Sequence, residues 1–224
     1  MFFEDYRYSE DLDFTAVGKE TVNADVIQKS MERLSDLIFK QTGIEINAKK
    51  PIIDVLNNNS YQEIIQIRIY YCGHSSPASS KSWPKIKLDI RADEIVTYPG
   101  EKRKIIHPYS DHEAIKDYEI KTYDFYDLLA EKIRALFERT RPRDLYDVVE
   151  ICKRSSIDLS VLKKALKEKC TYKNTQSDLT LLKLESCEAG WQDQLSHQIR
   201  ELPTFNQSIK EFNHLYVHFG LNEL

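Results

Sequence analysis

The sequence predicts an α+β protein with strands in its first half and helices in its second. Apolar and polar residues alternate along 85–91, which is the period of a strand with one buried face. From Asp124 onward apolar residues recur every three to four positions, the period of an amphipathic helix. Strands followed by helices favour an α+β architecture. With only 6 glycines and 7 prolines among 224 residues, a turn-rich all-β fold is disfavoured.

The elements of the first half follow from local patterns. Leu12 and Phe14 alternate with aspartates, which indicates a strand. Residues 23–41 carry one apolar face, with Asn23 as a suitable N-cap and Gly43 just past the end, so they predict a helix. We expect the remaining strands at 44–56, 61–72 and 85–91. A hairpin turn is expected at 99–101.

The second half is predicted to be a series of helices. Asp124 is a good N-cap for the first of them, and Pro142 suits the first position of the second. The same periodicity predicts three more helices, at 159–170, 178–199 and 204–218.

Composition indicates a cytoplasmic protein without membrane spans. The apolar runs are too short to cross a bilayer, and the acidic N-terminus does not resemble a signal peptide. The 4 cysteines are widely spaced, so reduced, buried thiols are expected rather than a zinc site or a disulfide framework. The net charge of −4 gives no overall argument for nucleic-acid binding.

Three acidic residues are candidates for a metal site. Asp11 and Asp13 are two apart on a predicted strand and therefore project from the same face. An isolated pair of this kind is more often the exposed polar face of an edge strand. Asp89, on the polar face of a second strand, strengthens the metal interpretation. Three carboxylates on neighbouring strands suit two Mg²⁺ ions about 4 Å apart in phosphoryl transfer.

Basic residues are concentrated between Lys132 and Arg143, where an anion is expected to bind. The alternative is an ordinary solvated face of an amphipathic helix. Asp144 and Asp147 follow at i,i+3 spacing near a predicted helix start, where the helix dipole stabilises acids in any case. Each of these features is weak by itself.

Taken in order, these segments resemble the AbiEii/AbiGii-type nucleotidyltransferases. Those proteins are toxins of abortive-infection and toxin–antitoxin systems, built on the polymerase-beta-like nucleotidyltransferase fold, a mixed sheet with helices. The resemblance rests on Arg7-Tyr8-Ser9-Glu10-Asp11-Leu12-Asp13-Phe14, Lys87-Leu88-Asp89-Ile90, Ala130-Glu131-Lys132 and Arg143-Asp144-Leu145-Tyr146-Asp147. It implies a nucleotidyltransferase core over residues 1–122 and a helical C-terminal domain over 123–224.

The resemblance also implies a role for each matching residue. Asp11, Asp13 and Asp89 match the metal-binding acids of the family, and Ser9 matches the serine before the acid pair. Other matches are Lys132, which would contact the nucleotide phosphates, and the R-D-x-x-D motif that supports the active site, formed by Arg143, Asp144 and Asp147. Because a lysine among acids is rarely unpaired, Lys132 is expected to pair with carboxylates such as Asp89 or Asp144.

The activity implied is transfer of a nucleotide from a nucleoside triphosphate, with Mg²⁺ or Mn²⁺. Characterised relatives modify RNA 3′ ends, notably tRNA acceptor stems, and a GTP preference has been proposed. A cognate antitoxin is an expected partner, and a membrane is not. The alternative is a catalytically silent copy that acts only by binding an antitoxin.

One departure from the family pattern concerns the N-terminus. The family places a glycine pair followed by Thr or Ser before the acid pair, where it cradles the triphosphate. Residues 1–10 contain no glycine. We therefore expect apolar side chains on the strands at 52–56 and 64–70 to lose cover. The chain should then either self-associate through this exposed sheet face or bind nucleotide poorly.

Overall fold

The structure is a computed structural model that describes residues 3, 5–9, 11–17, 23–46, 52–58, 62–72, 83–107, 109–110, 112–176 and 182–218. Contacts divide the chain into two compact units, one of residues 9–94 and one of residues 1–8 together with 95–224. The predicted boundary was at residue 122. The α+β class is confirmed, and within the described residues no helix is long and apolar enough to cross a bilayer.

The first unit, residues 9–94, is a mixed sheet with one helix. Strand order is β1-β5-β4, and both β2 and β3 pair with the far edge of β4. β1 is parallel to β5, whereas β4 is antiparallel to its neighbours. The elements are β1 Asp11–Thr15, α1 Ala24–Thr42, β2 Glu45–Ile46, β3 Ile52–Asn58, β4 Gln62–Cys72 and β5 Lys85–Arg91.

The ends of α1 are set by the predicted capping residues. The Asn23 side chain accepts hydrogen bonds from the backbone N–H groups of Asp25 and Val26, which have no partner within the helix. Gly43 adopts φ 71° and donates its N–H to the carbonyl of Phe39. Glycine is favoured there because a side chain would strain a positive φ.

The sheet core lies under α1. Ile65, Ile67 and Ile69 of β4 are 0%, 1% and 5% exposed and pack against Ile27 and Met31 of the helix. The expectation that residues 64–70 lose cover is therefore wrong for 65–70, because α1 covers that part of the sheet. The side chains of 52–56 and of Ile64 lie outside the described residues.

Burial falls off toward the β1 edge of the sheet. Leu12 and Leu88 are register partners on the apolar face, as are Phe14 and Ile90. Leu88 and Ile90 are partly buried, but Leu12 and Phe14 are 50% and 49% exposed. Among these register partners, the exposed apolar side chains therefore belong to β1.

The second unit is mainly helical. It contains β6 Glu101–Lys104, β7 Glu119–Thr122, α2 Phe125–Arg139, α3 Pro142–Lys153, α4 Leu159–Lys173, α5 Trp191–Leu195 and α6 Phe205–His218. The predicted helices from Asp124, from Pro142, over 159–170 and over 204–218 are confirmed.

Two predictions in this unit are wrong. In place of a hairpin turn at 99–101, β6 begins at Glu101 and pairs with β7 across the longer connection 105–118. The helix expected over 178–199 is replaced, within its described part, by a 3-10 turn at Leu184–Cys187 and the short α5. The apolar residues of this segment reach the core from two short helical turns, so a continuous helix is not needed to bury them.

The helical core is closed by Trp191, which is 2% exposed and donates its indole N–H to the carbonyl of Pro203 at 2.8 Å. Cys152, Cys170 and Cys187 are buried free thiols in or beside this core, as predicted, whereas Cys72 in the first unit is only partly buried. Burial raises the pKa of Cys152 to about 12, so the thiol stays protonated.

An ion pair between Lys169 of α4 and Asp127 of α2 lies inside this unit. Both side chains are 0% exposed, with Lys169 Nζ 3.1 Å from Asp127 Oδ1. Lys169 also donates to the carbonyl of Ile95 at 2.7 Å, and Asp127 accepts the backbone N–H groups of Thr97 and Tyr98. The pair therefore ties the segment at 95–98 to two helices.

We expect Lys169→Met to lower the free energy of unfolding by about 3–5 kcal/mol, because it leaves the buried Asp127 carboxylate without its cation. Urea denaturation measures this change. Lys167→Met, at an exposed position of the same helix, is the matched control and should change stability by less than about 0.5 kcal/mol. Equal effects of the two variants would contradict a role for the buried pair.

Candidate functional site

The first cluster of candidate residues lies on the polar face of β1 and β5. In the parallel register Asp13 is opposite Asp89, and Asp11 is opposite Lys87. Side chains two apart on a strand share a face, so the three aspartates project from the same side of the sheet. The predicted juxtaposition of the acid pair with Asp89 is thus present in the strand pairing.

Asp11 carries an oxygen that no hydrogen bond satisfies. Among the described residues nothing donates a hydrogen bond to the buried Asp11 Oδ1, and the Lys87 ammonium lies 3.4 Å from it. Ser9 Oγ donates to the Asp11 backbone carbonyl at 2.8 Å, which holds the strand start. A carboxylate oxygen in this condition can accept a cation without losing a hydrogen bond.

Asp89 is affected by the charges of its neighbours. Its pKa is raised, first by burial and then by the Asp13 and Asp11 carboxylates, while Arg91 and a hydrogen bond with Gln66 act in the opposite direction. Gln66 is its register partner on β4. Mutual repulsion of this kind is what a divalent cation would relieve.

The three aspartates have the ligand chemistry that a hard divalent cation prefers, but their side chains are not arranged at ligand distances. Carboxylate oxygens are the ligands that Mg²⁺ and Mn²⁺ prefer, and Asp11 contributes an unsatisfied one. Within the described part of the chain, no three His, Cys, Asp or Glu side chains are already grouped at ligand spacing.

The second cluster surrounds Asp147 of α3. Its carboxylate is 1% exposed and accepts from the Tyr6 hydroxyl at 2.8 Å. Arg7 binds it with two N–H groups, at 2.6 Å to Oδ1 and 2.8 Å to Oδ2. Lys132 Nζ of α2 lies 2.8 Å from Oδ2. One buried carboxylate therefore joins residues 6–7 to two helices.

These contacts explain the ionisation of the cluster. Burial by itself would raise the pKa of Asp147, but the charges of Lys132 and Arg7 outweigh it and lower the pKa. Burial and the neighbouring Asp147 carboxylate raise the pKa of the Tyr6 phenol, which stays protonated and donates. The cluster thus holds two cations and one anion at neutral pH.

Comparison with known proteins identifies the family of the chain. The family model described as "Nucleotidyl transferase AbiEii toxin, Type IV TA system" matches residues 1–216. The chain belongs to this family. It is therefore a nucleotidyltransferase toxin of a type IV toxin–antitoxin system. No curated relative matches the sequence significantly.

A solved structure supports the fold of this AbiEii family member. MenT4, a nucleotidyltransferase toxin from Mycobacterium tuberculosis H37Rv, matches with a TM-score of 0.56 and 17% identity, over 97% of this chain and 70% of that chain. At this identity the likeness concerns the fold alone.

The other AbiEii motif residues lie at the start of α3. Asp144, 3% exposed, is bound by Arg139 through two hydrogen bonds of 2.8 and 3.0 Å. Arg143, partly buried, is the second residue of the helix. Lys132 is paired with a carboxylate as expected, but its partner is Asp147 rather than Asp89 or Asp144.

Sequence reasoning missed three contributors to the two clusters: Tyr6, Arg7 and Gln66. Gln66 lies on β4 at a position that only the strand register places beside Asp89. Arg7 and Tyr6 immediately precede the acid strand, and Arg7 heads the first matching motif, which was the available signal.

We expect Asp89→Asn to raise the melting temperature at pH 7 in EDTA, by no more than about 2 °C for a partly exposed carboxylate. The native pKa of Asp89 lies above its ordinary value of 3.8, so the native state binds the proton more tightly than the unfolded state. The stability conferred by this group therefore falls as the pH rises from the ordinary pKa to the raised native pKa.

The gain in melting temperature of Asp89→Asn should disappear below the ordinary pKa, where the carboxyl is protonated in both the native and the unfolded state. Asp36→Asn, at an exposed position of α1, is the matched control and should show no such pH dependence. A lower melting temperature for Asp89→Asn at pH 7 would contradict carboxylate repulsion at this face.

Proposed function

We propose that this toxin transfers a nucleotide from a nucleoside triphosphate to the 3′ end of an RNA, with the tRNA acceptor stem as the first acceptor to test. The observation that carries the proposal is the pairing of Asp13 with Asp89 on parallel strands, two residues from Asp11. Among the described residues Asp11 Oδ1 accepts no hydrogen bond, and the Lys87 ammonium lies 3.4 Å from it. Three acids so placed suit phosphoryl transfer assisted by divalent cations. Such a reaction belongs in the cytoplasm, where triphosphates and tRNA occur together.

Asp11, Asp13 and Asp89 are the residues that would hold Mg²⁺ or Mn²⁺. The cation would neutralise charge on the triphosphate and on the departing pyrophosphate. Asp89, whose pKa is raised by burial and by the neighbouring Asp13 carboxylate, is suited to accept the proton of the attacking RNA hydroxyl.

The phosphates themselves would be bound by cations of the helical unit. Lys132 is 26% exposed and directs one N–H to Asp147. An ammonium has three donors, so two remain for phosphate oxygens. Arg143 and Ser9 are further candidates for phosphate contacts. Asp144 and Asp147 would support the site by holding cations in place, as their ion pairs with Arg139, Arg7 and Lys132 indicate.

The direct test incubates the purified chain with each α-³²P-labelled triphosphate, Mg²⁺ and deacylated tRNA. We expect label at the RNA 3′ end, with one or two triphosphates preferred. Periodate oxidation of the tRNA, which destroys the terminal 2′,3′-diol, should abolish labelling because it removes the attacking hydroxyl. Asp13→Asn is the inactive control.

Two outcomes contradict the proposal. Labelling that survives periodate treatment would show that the acceptor is not the 3′ hydroxyl. Absence of transfer to tRNA and to total cellular RNA with all four triphosphates would favour the silent copy that acts only by binding a cognate antitoxin. Binding of the purified chain to a cognate antitoxin protein tests that partner separately.

We expect Asp11→Asn and Asp13→Asn to weaken Mn²⁺ binding at least tenfold (about 1.4 kcal/mol) in calorimetric titration, because each removes a charged ligand. Both variants should remain folded, since Asp13→Asn relieves repulsion with Asp89 and Asp11→Asn loses only a partly exposed ion pair with Lys87. Asp36→Asn is the control and should bind Mn²⁺ as the unaltered chain does. Unchanged binding in both site variants would remove these acids from the metal site.

A further inference from the structure

The Asp147 cluster contains more positive charge than its carboxylate needs. Arg7 satisfies the carboxylate through a two-pronged contact, with one N–H to each oxygen. A further hydrogen bond fixes the guanidinium, because Arg7 also donates to the Gln198 side chain at 3.1 Å. Gln198 is 2% exposed, and its carbonyl accepts the N–H of Tyr8. The Arg7 guanidinium is thus fixed on Asp147 from both sides.

Lys132 binds the same carboxylate, but with fewer contacts and more exposure to solvent than Arg7. It makes a single contact with Asp147 Oδ2 at 2.8 Å and is 26% exposed, twice the 13% of Arg7. A buried carboxylate is costly without a cation. Since Arg7 already supplies that cation in the planar geometry that matches a carboxylate, the charge of Lys132 is not consumed by Asp147.

We propose that Arg7 is a positioning residue for the phosphate-binding lysine: it neutralises Asp147 so that Lys132 is oriented by this carboxylate but keeps its charge for the triphosphate. The proposal rests on the phosphate-binding role of Lys132 proposed above. Arg7 itself touches no phosphate in this scheme.

The consequence of removing Arg7 follows from charge balance. The cluster of Arg7, Lys132 and Asp147 carries one net positive charge. In Arg7→Gln this net charge falls to zero, and the buried carboxylate must take Lys132 as its only cation. The lysine is then held closer to Asp147 and binds phosphate less well, so we expect about tenfold weaker triphosphate binding.

The test is a double-mutant cycle between positions 7 and 132, with affinity for inorganic tripolyphosphate in Mg²⁺ as the readout. Arg7→Gln should weaken binding in the unaltered chain and have no further effect in the Lys132→Ala background. Arg7→Lys, which keeps the charge but not the two-pronged contact, should lie between Arg7→Gln and the unaltered chain. All variants are measured below their melting temperatures.

Arg139→Gln is the matched control. It removes a guanidinium with the same two-pronged contact to a buried aspartate of α3, but that aspartate is Asp144, which does not bind Lys132. Its effect on binding should be additive with Lys132→Ala. Additive behaviour of Arg7→Gln as well would overturn the proposal, because a general structural role does not depend on Lys132.

If the double variant does not fold, Arg7→Gln combined with Asp147→Asn replaces it. Without the carboxylate nothing captures Lys132, so this pair should bind tripolyphosphate better than Arg7→Gln alone. Binding as weak as in Arg7→Gln would overturn the proposal. Failure of the proposed function has a different signature, since Lys132→Ala would then bind tripolyphosphate as tightly as the unaltered chain.

Discussion

A carboxylate removed from water needs a cation beside it, and the described part of the helical unit meets this need three times. Asp127, Asp144 and Asp147 are 0%, 2% and 0% exposed as whole residues, and each is bound by a basic side chain. Their partners are Lys169, Arg139, and Arg7 with Lys132. Because an unpaired buried charge is so costly, these pairs determine which segments of the chain must meet.

The sheet of the first unit is governed by the opposite electrostatic situation. Asp11, Asp13 and Asp89 share a face, and the pKa of Asp89 is raised by burial and by its acidic neighbours. Nothing in the hydrophobic core requires this arrangement, since α1 covers the other face. A fold that places three aspartates on one face of its sheet, while it pairs Asp127, Asp144 and Asp147 of its helical unit with cations, suits cation binding at the acidic face.

Local patterns predicted most of the elements and the acid cluster. Alternation identified β1 and β5, and the caps Asn23 and Asp124 located two helix starts within a residue, because capping depends on a few neighbouring backbone groups. The strand pairing that aligns Asp13 with Asp89 agrees with the family resemblance. Local patterns failed where long-range packing decides, as in the segment 184–195, whose apolar residues fill a core from short separate pieces.

The sequence by itself thus determined the α+β class, most of the helices and strands, and the set of charged residues from which a site can be built. Tertiary structure decided which charges meet. Asp147 binds Arg7, which lies 140 positions away in the sequence. Asp89 forms a hydrogen bond with Gln66 of the antiparallel strand β4. Periodicity and caps report interactions within a few residues, whereas these pairings depend on how whole elements pack, so only the folded chain reveals them.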